Sequence, residues 1–197
     1  MPHVFIIHGW AGHPNEGWFP WLKKELEERG FEVSIPEMPD PENPKIETWI
    51  LHLKSVIGIP NESTYLIGHS IGVQTILRYL QTIDRPIGGV LAVAGFFVLR
   101  DGCLKLDEMI IAEPWLKMPI DVDAAKKNTK SITAIFSDND PFVPVENAKL
   151  FERRLDAKTI ILHQRGHFSN SDNALEVPEI LQEFLLIASA QSSPKLT

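Results

Sequence analysis

The pentapeptide Gly68-His69-Ser70-Ile71-Gly72 places a hydroxyl nucleophile between two small residues, each two positions away. It follows the apolar run Tyr65-Leu66-Ile67 and precedes Ile71 to Leu80, whose apolar spacing is helical. The serine therefore sits on a strand-to-helix turn. On such a turn a nucleophile is held in a strained backbone conformation with its oxygen proud of the sheet, and both glycines let strand and helix approach. The bland alternative is an ordinary Gly-rich turn on which Ser70 only caps the helix.

A serine hydroxyl is a weak nucleophile until a base takes its proton. Seven histidines compete for that role. In an open parallel sheet the base must come from a loop at the same carboxyl edge as the serine. His167, in Gly166-His167-Phe168, follows the last strand-like run and fits that demand. His3 starts a strand and belongs at the opposite edge, and His52 lies within a helix. His163 closes the last strand without a free loop, and His69 is expected to point away from the serine turn. His8 and His13 belong to the first loop. The base in turn needs an acid to hold its tautomer. Ser137-Asp138-Asn139-Asp140-Pro141 offers two, of which Asp140, three residues past a strand and before a Pro-stiffened turn, is preferred over Asp138. The order Ser70, Asp140, His167 puts each group at the end of a different strand.

An oxyanion formed at Ser70 also needs donors. Ile71 offers its N–H at a helix start, and Trp10, in His8-Gly9-Trp10-Ala11-Gly12, offers a second from the loop after the first strand. That loop matches neither Gly-x-Gly-x-x-Gly nor the P-loop pattern, so a nucleotide site is rejected. No histidine pair has a zinc-binding spacing, so neither a metal nor another cofactor is expected. Phe96, Phe97, Trp115, Phe142 and Phe168 are candidates for the walls of a small apolar acyl pocket, against the simpler reading that they pack in the core.

The elements that must position these groups alternate between strand and helix. Val4-Phe5-Ile6-Ile7, Thr64-Tyr65-Leu66-Ile67, Val90-Leu91-Ala92-Val93-Ala94, Ile132-Thr133-Ala134-Ile135-Phe136 and Thr159-Ile160-Ile161-Leu162 read as strands, and Phe31 to Ile35 alternates like an edge strand. Helical spacing recurs in Trp18 to Leu26, Ile46 to Ile57, Val145 to Leu155 and Val177 to Ala188. Strands apolar on both faces require helices on both faces. The expectation is a three-layer αβα sandwich around about six parallel strands. One domain is expected over residues 1–188, with 96–128 as a small flap and a flexible polar tail at 189–197.

The 197-residue chain has 44% hydrophobic and 23% charged residues, which suits one globular domain. A net charge of −7 without a basic stripe argues against nucleic acid. Cys103 is the only cysteine, so no internal disulfide forms, and the apolar runs are too short for a signal peptide or a membrane span. The expectation is a cytoplasmic monomer acting on a small acyl substrate, with no membrane association. A protein partner is not indicated by the sequence.

Beside the serine turn, the His8-Gly9 loop, Trp18-Phe19-Pro20-Trp21-Leu22-Lys23-Lys24, Glu37-Met38-Pro39-Asp40-Pro41 with Trp49, Asp138 to Pro144 and Gly166-His167-Phe168 resemble the small α/β-hydrolases of the YdeN and retinoblastoma-binding-protein type. The likeness runs from Val4 to about Leu186 and is nearer the bacterial YdeN branch. The resemblance implies a shortened α/β-hydrolase core without a large cap domain, and carries a catalytic triad onto Ser70, Asp140 and His167. It also implies serine-hydrolase chemistry on small esters or amides through an acyl-enzyme. Two alternatives stay open: an interaction module on a hydrolase scaffold with incidental activity, and an acyltransferase.

Overall fold

Six strands form one sheet in the order β2-β1-β3-β4-β5-β6, and every neighbouring pair is parallel. The computed structural model describes residues 1–190. The strands are β1 (His3–Ile7), β2 (Glu32–Ser34), β3 (Thr64–His69), β4 (Gly89–Val93), β5 (Ile132–Ser137) and β6 (Lys158–Leu162). The helices are α1 (Phe19–Glu27), α2 (Ile46–Ile57), α3 (Ile71–Leu80), α4 (Leu106–Lys117), α5 (Val122–Lys127), α6 (Asn147–Leu155) and α7 (Pro178–Ser189). The expected αβα sandwich is what forms, with no large cap domain among the described residues.

The side-chain period of a strand explains the two cores. Phe5, Ile7 and Leu66 face one side, where Trp49 and Leu53 of α2, Val73 and Leu77 of α3, and Phe151 of α6 cover them. Val4, Ile6 and Ile67 face the other, under Leu22 and Leu26 of α1 and Ile180 and Phe184 of α7. The central strands β3, β4 and β5 are buried throughout, whereas β2 and β6 lie at the edges.

Register aligns the functional loops. Ile7 pairs with Gly68, His69 with Val93, and Ser137 with Leu162, so the chain leaves β1, β3, β5 and β6 along one carboxyl edge. The neighbours β1 and β3 feed helices on opposite faces, α1 on one and α3 on the other. A crevice opens where adjacent strands diverge in this way, and it is where ligands bind in open α/β sheets.

Residues 96–128, expected as a small flap, carry α4 and α5 and, among the described residues, no strand. Trp115 anchors α4 from below; it is buried and its indole donates to Pro44 O at 3.0 Å. Leu106, Met109 and Ile110 of α4 are exposed. At the other end of the chain, α7 includes Ser189, so the expected tail does not begin there; its remainder, 191–197, lies outside the described residues.

Candidate active site

Ser70 has φ 52° and ψ −119°, a conformation that costs a non-glycine residue energy and persists only where the surroundings impose it. The surroundings here are tight backbone contacts. A Cβ on Gly72 would lie 2.4 Å from Ile7 O, and one on Gly68 would lie 2.8 Å from Val73 N. Both glycines are therefore steric requirements of the turn, as expected from their spacing. As the first residue of α3, Ile71 has no acceptor for its N–H within the helix.

Asp140 and His167 meet at the same edge. Asp140 is almost wholly buried, and its Oδ2 lies 2.8 Å from His167 Nδ1. Its Oδ1 accepts from the N–H groups of Phe142 at 2.8 Å and Val143 at 2.9 Å, which fixes the plane of the carboxyl group. A carboxylate only accepts, so Nδ1 of His167 carries a proton, and in the neutral ring the lone pair is on Nε2. Asp138, the alternative acid, is occupied elsewhere: Oδ2 contacts the exposed His163 ring at 2.6 Å and Oδ1 accepts from Gln164 N–H. Ser70 and His167 line one cavity of about 550 Å³, although Ser70 Oγ and His167 are not hydrogen-bonded to each other.

The loop bearing His167 is shaped by Asp172. Its Oδ2 accepts from the N–H groups of His167 and Ser169 at 2.9 and 3.0 Å, and from Ser169 Oγ at 2.6 Å. Partial burial acts to raise the Asp172 pKa, but these bonds outweigh it and hold the carboxyl below its ordinary value. Gly166, at φ +57°, is required beneath that carboxylate, because a Cβ there would lie 2.1 Å from Asp172 Oδ1.

The first loop also presents a donor. Ala11 N–H is spent on Pro41 O and Gly12 N–H on Gly9 O, whereas Trp10 N–H has no such partner among the described residues. His8, unassigned from sequence, braces this loop. Its Nδ1 donates to Gly9 O at 2.8 Å and its Nε2 accepts from Met38 N–H at 3.0 Å, an arrangement open only to the neutral ring. Burial lowers its pKa in the same direction. Trp10 Nε1 donates to Glu42 O. The Pro-rich loop from Glu37 onward is thus the support of the first loop.

Phe96, Trp115, Phe142 and Phe168 line the cavity, together with Trp10, Trp18 and Ile111. Phe97 does not. Its N–H donates to Asn147 Oδ1 at 2.7 Å, and its ring packs on Phe151 and under the Arg154 guanidinium. This corrects the expectation that both members of the aromatic pair reach the pocket. His69 is also displaced from its expected role. It lines the cavity and does not point away; its Nε2 lies 2.7 Å from His167 O. Strand alternation could have signalled this, since His69 shares the face of Ile67.

Four carboxylates, Glu16, Glu42, Asp107 and Glu108, stand around the cavity, and among the described residues no lysine or arginine lines it. Among the described residues no group of three or more His, Cys, Asp and Glu is placed to hold a metal ion, and no helix is long and apolar enough to cross a membrane.

A parallel sheet with a strained serine after β3, and a histidine after β6 held by a carboxylate after β5, has the architecture of an α/β hydrolase. Comparison with known proteins narrows the class. Residues 4–185 match the serine hydrolase family, and the chain belongs to it. It is 31% identical over 177 residues to the hydrolase YdeN of Bacillus subtilis, covering 89% of this chain and 90% of that one. It is 29% identical over 157 residues to the serine hydrolase RBBP9 of Rattus norvegicus, covering 79% and 80%. The crystal structure of the B. subtilis YdeN product superposes with a TM-score of 0.87 at 28% identity, over 96% of this chain and all of that one. Est1E of Butyrivibrio proteoclasticus, solved with ferulic acid, shares the fold at a TM-score of 0.72 and 19% identity, over 94% and 88% of the two chains.

Proposed function

We propose that this chain hydrolyses small esters or amides through a Ser70 acyl-enzyme. The observation that carries the reading is the Asp140–His167 pair: a buried carboxylate sets the tautomer of a histidine that shares a cavity with a strained serine. His167 Nε2 takes the Ser70 proton as Oγ attacks the acyl carbonyl carbon. The Trp10 and Ile71 N–H groups receive the oxyanion, and His167 returns the proton to the leaving alcohol or amine. Water, deprotonated by the same Nε2, then attacks the acyl carbon, and Ser70 leaves with its proton restored.

The walls support a compact acyl group. Phe96, Trp115, Phe142 and Phe168 supply apolar surface, and α4 roofs a space sized for a small molecule rather than for a long lipid chain. Every group invoked comes from one chain, so the site needs no second copy to be complete. The lone Cys103 suits a reducing compartment such as the cytoplasm.

Intact-mass labelling with a fluorophosphonate tests the reading. One adduct is expected on the wild type, none on Ser70→Ala, and a strongly slowed reaction on His167→Ala. A folded wild type that takes no adduct would overturn it.

A further inference from the structure

We propose that His69 is a positioning residue, binding the His167 loop and the first loop to the turn that carries Ser70. The proposal deepens the hydrolase reading and rests on it. His69 is the last residue of β3 and the immediate neighbour of Ser70, so it cannot shift without carrying the nucleophile. Its Nε2 lies 2.7 Å from the main-chain oxygen of His167. A carbonyl only accepts, so Nε2 bears the proton and Nδ1 is bare. The bare edge is turned to the first loop, where a Cβ added to Gly9 would lie 3.1 Å from Nδ1. One buried ring thus touches the loop of the base and the loop of the oxyanion donor from a fixed seat beside the nucleophile.

The His167 loop needs such a tether. Gly166 and Phe168, on either side of His167, have φ of +57° and +56°, and at Phe168 this left-handed conformation is strained because the residue carries a side chain. His69 holds the carbonyl of His167, and Trp18 Nε1 holds that of Phe168 at 3.1 Å. The two donors lie side by side, with ring centroids 6.2 Å apart. Burial, reinforced by the neighbouring His167 ring, lowers the His69 pKa to about 3, while the hydrogen bond to the His167 carbonyl and the charge of Asp140 oppose the shift and His8 adds to it. The ring is therefore neutral at ordinary pH. That matters in the reaction, since its centroid is 5.0 Å from the His167 ring and a charge there would oppose the imidazolium that His167 becomes.

Three substitutions separate positioning from packing. His69→Gln sets an amide N–H near the place of Nε2, His69→Asn is too short to reach it, and His69→Phe fills the space without a donor. The readouts are kcat and KM on a short-chain p-nitrophenyl ester, hydrogen exchange over residues 165–169, and the melting temperature. His69→Asn and His69→Phe are expected to lose about 10- to 100-fold in kcat, as a misplacement of about 1 Å does, with KM nearly unchanged and faster exchange at 165–169. His69→Gln is expected to recover most of both. Wild-type kcat in the asparagine and phenylalanine variants, equal loss in all three, or losses that track melting temperature alone would overturn the proposal. If the wild type takes no fluorophosphonate, the hydrolase reading fails but exchange still decides this one. Protection at 165–169 kept by glutamine and lost by asparagine upholds the tether, and no difference between them refutes it.

Discussion

Asp140→Asn removes a charge without removing a shape, and the surrounding donors dictate how the new amide sits. Oδ1 receives the N–H groups of Phe142 and Val143. An asparagine there must keep its carbonyl oxygen at that position, because the opposite orientation would set its NH₂ against two backbone donors. Each buried donor left unpaired costs about 1–3 kcal/mol, so the wrong orientation lies roughly 2–6 kcal/mol higher. The favoured orientation presents NH₂ to His167 Nδ1, which must then accept; the ring proton moves to Nε2, and the lone pair needed by Ser70 is gone. At 1.36 kcal/mol per tenfold, the base-competent fraction falls to about 10⁻²–10⁻⁴. The assay is the second-order rate of fluorophosphonate inactivation beside kcat/KM on a short ester. Both are expected to fall by about 10²–10⁴ with folding intact, and Asp138→Asn to leave both nearly unchanged. An Asp140→Asn enzyme within about fivefold of wild type would refute the tautomer argument.

Gly72→Ala drives a Cβ to 2.4 Å from Ile7 O, so a loss of roughly 3 kcal/mol or more is expected, visible as a large drop in melting temperature or as insoluble protein. Acid is expected to destabilise the fold before ordinary carboxylates titrate. The folded-state pKa of His69, about 3, lies below its unfolded value of about 6.5, so the unfolded chain binds the extra proton between those limits and stability falls as pH drops, by up to roughly 1.4 kcal/mol per unit. Urea unfolding at several pH values measures this slope, and His69→Gln should flatten it. Carboxylates around the cavity should discriminate by charge: an ester bearing an acyl-chain carboxylate is expected to have a kcat/KM at least about tenfold below its uncharged analogue, with a gap that narrows as salt rises. Equal rates at low salt would remove the four carboxylates from the account of specificity.

The parts of the site that are legible in the sequence are those dictated by local rules. Ser70 follows from the steric demand of a turn flanked by Gly68 and Gly72, and the strand ends point to Asp140 and His167 because a parallel sheet collects its loops at one edge. Legibility stops where a distant partner decides an orientation. Phe96 and Phe97 are adjacent and chemically alike, but Asn147, fifty residues on, takes the Phe97 N–H and turns that ring to α6. His69 and His8 look like incidental neighbours of more reactive residues, because their partners are main-chain groups of His167, Gly9 and Met38, which carry no mark in a sequence. The roof, α4, is similarly obscure. Pro114 lies inside it and its outer face is apolar, so neither composition nor amphipathic spacing marks it as a helix.

Arg78, on α3 one turn beyond Gln74, is buried and, among the described residues, pairs with no carboxylate. Its Nη2 donates to Trp115 O at 3.0 Å and Met118 O at 2.7 Å, so its charge is met by the negative end of the α4 dipole. Burial lowers its pKa to about 10, leaving it cationic at neutral pH. Gln74 meanwhile holds the carbonyl of Phe96. The helix that begins just after Ser70 therefore also grips the back of the roof. The front of the roof, around Leu106, has no such anchor and stands in solvent. Ile111 and Trp115, which line the cavity, therefore stand on a helix held at its end and open to solvent at its start. Substitutions at Asp107, Glu108 or Ile111, which line the cavity from α4, are thus expected to change its wall while the serine turn stays untouched, whereas loss of Arg78 loosens the wall and the helix behind Ser70 together.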